Sequence, residues 1–248
     1  MSVLYTIDTA MSINNCMNLE KVDGIIACGD SYTLGPRYGD DIHHEDSWPS
    51  ILGKSLSKPV SNVSRGGASN TEISLQPLKT LSSFKSPLLI FGFTVDIRYP
   101  FFTRDGILHS MNGLSDADFE REDSIRNNRV SLAKQFMQQF LLPVGEHTGM
   151  QNLFVQSVKT AMAYKKLNPS AQVIWGNIHS QKPTKRIKPN NRLVSESMYC
   201  FNSIANSKPL QSLIHHNTDA WISPKDSHPN KLGCTIIADS LKRYISQF

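Results

Sequence analysis

GIIACGDSYTLG, residues Gly24 to Gly35, decides how this chain is read. Ile25, Ile26, Ala27 and Cys28 form an apolar run bounded by glycine, too short for most helices and suited to a buried strand. Gly29 begins the turn. Open α/β sheets bind their ligands outside the carboxyl ends of the strands, so Ser31, just past such an end, is a candidate nucleophile. Asp30 and Ser31 are also common turn formers whose side chains satisfy local backbone groups. Other segments have to separate the two readings.

Downstream, the same unit repeats. In SWPSILGKSL, Ser47 or Asp46 can cap a helix that tolerates Pro49 in its first turn, with Trp48, Ile51, Leu52, Ser55 and Leu56 at helical spacing. KPVSNVSRGGASN predicts a strand around Val60 to Val63 and a glycine turn. Ser69 or Asn70 then caps a helix that turns Ile73, Leu78 and Leu81 inward. PLLIFGF, Pro87 to Phe93, is the most apolar strand and fits a central parallel strand covered on both faces. QNLFVQSVKTAMAYKKL, ended by Asn168-Pro169, predicts a helix before the strand AQVIWGNI, and Asn230 can cap a final helix striped by Leu232, Ile236, Ile237, Leu241, Tyr244 and Ile245. Alternating strands and helices with short glycine turns predict a three-layer α/β/α domain with a mostly parallel sheet. We read residues 1–248 as one domain, with an elaborated insertion around 99–149 that includes a helical face of Val130, Phe136, Phe140 and Leu141.

With 248 residues, 39% of them hydrophobic and 19% charged, the chain can bury a sizeable core and is not of disordered type. A net charge of +5, with no long Lys/Arg block interleaved with aromatics, predicts no nucleic-acid partner. The basic loop HSQKPTKRIKPNNR concentrates Lys182, Lys185, Arg186, Lys188 and Arg192, which fits a solvated connection better than an anion clamp. The first twenty residues lack a secretory pattern and no run is long enough to span a membrane, so a cytoplasmic protein is expected. Cys16, Cys28, Cys200 and Cys234 show no metal-like spacing and read as reduced packing residues.

A serine hydroxyl is a weak nucleophile near neutrality and needs a base, a group orienting that base, and donors for the developing oxyanion. Among eight histidines, His228 stands out: it directly precedes the last helix, with Asp226 two residues away. The same DSHPN segment also reads as a plain helix-capping turn.

Taken together, these segments resemble the SGNH or GDSL esterase/lipase superfamily. GDSYT, Gly29 to Thr33, is similar to the family's nucleophile block, which implies Ser31 as the attacking residue and its N–H as an oxyanion donor. NVSRGGASN, Asn62 to Asn70, resembles the second block, and spacing makes Gly67 rather than Gly66 the second donor. Where the family has Gly-x-Asn-Asp, this chain has FGFTVDIR, which puts Thr94 at the asparagine position and its hydroxyl in line as a third donor. Arg98 follows four residues later, available to a substrate oxygen or to Asp96, and Asp30 and Asn70 are further candidate substrate-binding residues. The fourth block departs in spacing, with Asp226 two rather than three residues before His228.

The resemblance implies a flavodoxin-like sheet of the SGNH hydrolase type and a Ser31–His228–Asp226 triad. It further implies hydrolysis of a small acyl ester, first of all an O-acetyl or short acyl ester on a carbohydrate, without metal or cofactor. Acyl transfer on the same site, or a binding or structural protein with weakened turnover, are the alternatives; the threonine at the asparagine position motivates the latter.

Overall fold

A computed structural model describes residues 17–94, 98–102, 108–112, 146–178, 199–200 and 210–246. In chain order these form β1 (Gly24–Cys28), α1 (Ser31–Leu34), β2 (Arg37–Tyr38), β3 (Asp41–Ile42), α2 (Trp48–Leu56), β4 (Val60–Asn62), α3 (Asn70–Leu75), β5 (Pro87–Phe93), β6 (Arg98–Phe102), β7 (Leu108–Asn112), α4 (Glu146–Leu167), β8 (Gln172–Asn177), β9 (Tyr199–Cys200), α5 (Leu210–Ile214), β10 (Trp221–Ser223), β11 (Asp226–Pro229) and α6 (Lys231–Ile245).

The main sheet has five strands in the order β4-β1-β5-β8-β9, and every neighbouring pair is parallel. Counted by appearance along the chain, that order is 2-1-3-4-5, the doubly wound arrangement of flavodoxin-like folds. The chain leaves β1 to one side, forms β4, and crosses back to β5 on the other side. The carboxyl ends of β1 and β5 therefore flank the switch point where such sheets bind ligands.

Alternation along the strands builds the two faces. Ile25, Ala27, Leu88, Ile90 and Ile174 point to one side, where they meet Trp48 and Leu52 of α2 and Ile237, Leu241 and Tyr244 of α6. Ile26, Cys28, Leu89, Phe91, Phe93, Val173 and Trp175 point to the other, against Ala68, Ile73 of α3, and Ala161 and Tyr164 of α4. All of β1 and β5 is buried, as expected for inner strands covered on both sides. Each fully buried leucine, isoleucine or phenylalanine contributes roughly 1.5–3 kcal/mol.

The expected caps form. Ser47 accepts from the Ser50 N–H, Ser69 from the Glu72 N–H and Asn230 from the Gly233 N–H. Leu78 departs from its expected inward place and is 61% exposed. The reason is that α3 stops at Leu75 and tightens into a 3₁₀ turn over Gln76–Lys79, with Pro77 near its start, which shifts the facing of every later residue. Cys28 and Cys234 are free and buried, as read from the sequence. Among the described residues no helix is long and apolar enough to cross a membrane.

In the 99–149 region, β6 and β7 form an antiparallel pair. The helical face from Val130 to Leu141, the basic loop through Arg192, and Cys16, Asp96 and His179 lie outside the described residues, as does the side chain of Cys200.

The tight exit from β1 depends on Gly29. A Cβ there would stand 2.1 Å from Thr33 Oγ1 and 2.6 Å from Thr33 Cβ. Gly29→Ala must therefore push α1 away from the strand end. The expected cost is about 1–3 kcal/mol, read as a lower midpoint in urea unfolding; an unchanged midpoint would mean that the turn has slack.

Candidate active site

Two residues past the end of β1, Asp30 is the N-cap of α1, its Oδ1 accepting from the Tyr32 N–H at 3.0 Å. Ser31 thereby opens a helical turn at the carboxyl end of an inner strand. From the far end of the chain, β11 brings His228 to it, with Nε2 2.8 Å from Ser31 Oγ. The other ring nitrogen, Nδ1, lies 2.5 Å from Asp226 Oδ1, and the same oxygen accepts the His228 backbone N–H at 3.0 Å.

The protonation pattern follows from the partners. At Asp226 burial is the largest single influence and pushes the carboxyl up, but the His228 backbone N–H, ring N–H and charge together outweigh it and hold the carboxyl below its ordinary range. An ionised carboxylate can only accept, so Nδ1 carries the proton. In the neutral ring Nε2 then accepts from Ser31 Oγ. Serine, imidazole and carboxylate thus stand in the order required for nucleophile activation. The spacing of two between Asp226 and His228 works because β11 is extended, where residues i and i+2 share a face. What the sequence presents as a loop before α6 is the second strand of the β10–β11 hairpin.

The glycine turn lies beside Ser31: a Cβ on Gly66 would be 4.0 Å from Ser31 Cβ. Ala68 N–H donates to Arg65 O at 3.1 Å, and Gly67 has φ +75°, the conformation that a type II turn requires at its third residue. The Arg65 N–H donates to Gly29 O at 3.2 Å, and the Arg65 guanidinium is paired with Glu72 of α3, so the turn is fastened at two points. Among the described residues neither the Ser31 N–H nor the Gly67 N–H has a hydrogen-bond partner.

Three expected site residues have structural work instead. Thr94 is 1% exposed, and its hydroxyl donates to Asp30 Oδ2 at 2.7 Å. That single proton is spent, so the expected third oxyanion donor is corrected to a brace between the ends of β5 and β1. Asn70, expected at the substrate, accepts from the Thr94 N–H at 2.8 Å and donates to Thr94 O at 3.2 Å, clamping the end of β5 to α3. Asp30, expected both as a turn former satisfying local backbone groups and at the substrate, is fully buried, and its carboxylate, turned to Thr94 and the Tyr32 N–H, does the first of these. Arg98 is the first residue of β6, and its side chain lies outside the described residues.

Three positions escaped the sequence reading. Gln76 grips the Gly29 backbone at both ends: its Oε1 accepts from the N–H at 2.8 Å and its Nε2 donates to the carbonyl at 3.0 Å. Its trace in the sequence is a polar residue one helical turn after the buried Ile73. Tyr32 and Gln211 meet behind the imidazole, with Gln211 Nε2 donating to the Tyr32 hydroxyl at 3.2 Å. Nothing in the sequence pairs these two, which are 179 residues apart. For a metal, His43, Glu45 and Asp46 bring their ligand atoms within 4.8 Å of one another, though Asp46 is already paired with Lys231 Nζ at 2.9 Å.

Fold and site together define a doubly wound α/β protein with a serine, histidine and aspartate aligned at the switch point of its sheet. Neither a family model nor a curated protein matches the chain. Solved structures are similar to it at low identity. A protein from Desulfitobacterium hafniense DCB-2, described as lipolytic and of the G-D-S-L family, has 15% identity and a TM-score of 0.48, with 90% of this chain and 99% of that one covered. The psychrotrophic esterase EstA from Pseudoalteromonas sp. has 16% identity and a TM-score of 0.42, covering 91% and 97%. The acetyl xylan esterase Est2A from the rumen bacterium Butyrivibrio proteoclasticus has 14% identity and a TM-score of 0.46, covering 90% and 63%.

The Thr94 brace is open to test. Thr94→Val keeps the shape and withdraws one donor from a buried carboxylate, which costs about 1–3 kcal/mol. The urea midpoint of Thr94→Val should fall accordingly, while the rate per folded molecule changes little. A large loss of turnover at unchanged stability would return the hydroxyl to the oxyanion.

Proposed function

We propose that the chain is a serine ester hydrolase of the SGNH or GDSL type. The observation that carries this reading is the contact of 2.8 Å between Ser31 Oγ and His228 Nε2, made by residues 197 apart in sequence, with Asp226 on the far ring nitrogen. A capping turn has no need of that relay.

In the proposed reaction Ser31 Oγ attacks the ester carbonyl as His228 Nε2 takes its proton. Asp226 holds the ring in the required tautomer and stabilises the imidazolium. The developing oxyanion is met by the backbone N–H groups of Ser31 and Gly67, and the start of α1 favours negative charge there. Collapse of the tetrahedral intermediate expels the alcohol, which receives the proton from His228, and leaves an acyl group on Ser31. Water, deprotonated by His228, then releases the acid and restores the hydroxyl. The motif resemblance directs the substrate choice to a small acyl ester, with an O-acetyl or short acyl group on a carbohydrate to be tried first.

One observation favours a second reading, a fold of this type retained for binding with slow turnover: the Thr94 hydroxyl is committed to Asp30. A missing oxyanion donor costs about 3–4 kcal/mol where it has been removed from comparable sites.

Hydrolysis of p-nitrophenyl acetate separates the two. A hydrolase should turn it over, and Ser31→Ala should lower the rate by at least about a thousandfold with its unfolding midpoint preserved. Mass spectrometry after a phosphonate ester should find one adduct, on Ser31. Wild-type rates in a folded Ser31→Ala protein would remove the triad from the argument.

A further inference from the structure

Resting on that reading, the geometry points to Tyr32 as the positioning residue of the base: by donating from its hydroxyl to the Ser227 carbonyl, it holds the extended Asp226–Ser227–His228 segment where Nε2 meets Ser31 Oγ. The need for such a pin arises from the hairpin itself. β11 belongs to a two-stranded sheet separate from the main one, paired only at Trp221↔Pro229 and Ser223↔Asp226, with an irregularity between those rungs. A lone two-stranded ribbon is marginal in water. Its ladder leaves Ser227 and His228 unregistered, yet an Asp-x-His spacing of two places both triad side chains on one face only while the backbone stays extended.

Tyr32 supplies the missing constraint. It is 2% exposed and follows Ser31 directly, so its position is set by the same helical turn that sets the nucleophile. Its hydroxyl lies 2.6 Å from Ser227 O and 3.3 Å from Ser227 Oγ, and its ring faces the His228 imidazole with centroids 4.8 Å apart at 37°. Burial is the main influence on the phenol and raises its pKa, so the proton donated to Ser227 stays in place. Gln211 donates into the same oxygen, and its own N–H is bound to Ile178 O, just past β8. One hydroxyl therefore ties the nucleophile's turn to the base's strand and, through Gln211, to the main sheet.

Tyr32→Phe keeps the ring and removes the pin. With p-nitrophenyl acetate, kcat should fall about ten- to a hundredfold with KM unchanged, and phosphonate labelling of Ser31 should slow in parallel. In a His228→Ala background the same substitution should produce no further loss, because there is no imidazole left to position. A general structural defect would lower the residual rate in that background as well. Gln211→Met, which withdraws only the donor to the phenol, should shift kcat in the same direction by less, and it keeps the question answerable if Tyr32→Phe folds poorly. An unchanged kcat in Tyr32→Phe, or a full additional loss in the His228→Ala background, overturns the proposal. Failure of the wild type to hydrolyse the ester or label at Ser31 would instead overturn the underlying hydrolase reading.

Discussion

The buried carboxylate of Asp30 is the constraint on which the site depends. It sits between the carboxyl ends of β1 and β5, takes the Tyr32 N–H on one oxygen and the Thr94 hydroxyl on the other, and is closed off from solvent. A buried polar group left without partners is costly, so these bonds fix the turn that carries Ser31 relative to the next strand. Asn70 extends the lock by gripping both backbone groups of Thr94 from the start of α3. The switch point is thus held by hydrogen bonds from three elements before any substrate contact is considered.

Gly29 and Gln76 complete that frame from the other side. The carboxamide takes up both backbone groups of Gly29, and the missing side chain of Gly29 lets Thr33 come close. Together they allow α1 to begin with only two residues between it and the strand end. In the proposed reaction close approach matters because oxyanion stabilisation depends on donors already in place when charge develops. A helix set back by even one residue would carry its first N–H groups away from the turn at Gly66 and Gly67.

Much of this was legible in sequence where one local rule decides the outcome. PLLIFGF is apolar throughout and becomes β5, the middle strand; Ser47, Ser69 and Asn230 cap the helices they precede. Ser31, His228 and Asp226 could be picked out because each lies at the edge of a patterned element. What failed was the direction of side chains whose partners are far away in sequence. Thr94 aligns with an oxyanion donor by position, but its hydroxyl finds Asp30, 64 residues earlier. Asn70 and Asp30 look like polar site residues but are buried, each bonded to Thr94: Asp30 to its hydroxyl and Asn70 to its backbone. Leu78 fits an inward helical stripe only if α3 continues as an α-helix past Gln76, and it does not.

The chain's two aspartates at this site divide their tasks by exposure. Asp30, fully buried, works through fixed hydrogen bonds. The Asp226 side chain is 45% exposed and holds its position through His228, which offers it both a backbone and a ring N–H. Because His228 lowers its folded-state pKa, Asp226 adds stability above its unfolded value and loses it as pH falls through the lowered one. Solvent screening keeps that contribution small. Its larger effect is on the imidazole: a carboxylate that resists protonation keeps Nδ1–H fixed and Nε2 directed at Ser31. The strand spacing of two reinforces this, since backbone and ring of one residue converge on a single carboxylate oxygen. That oxygen serves both with β11 in the strand it forms over Asp226–Pro229, which makes the conformation of one short segment part of the proposed catalytic chemistry.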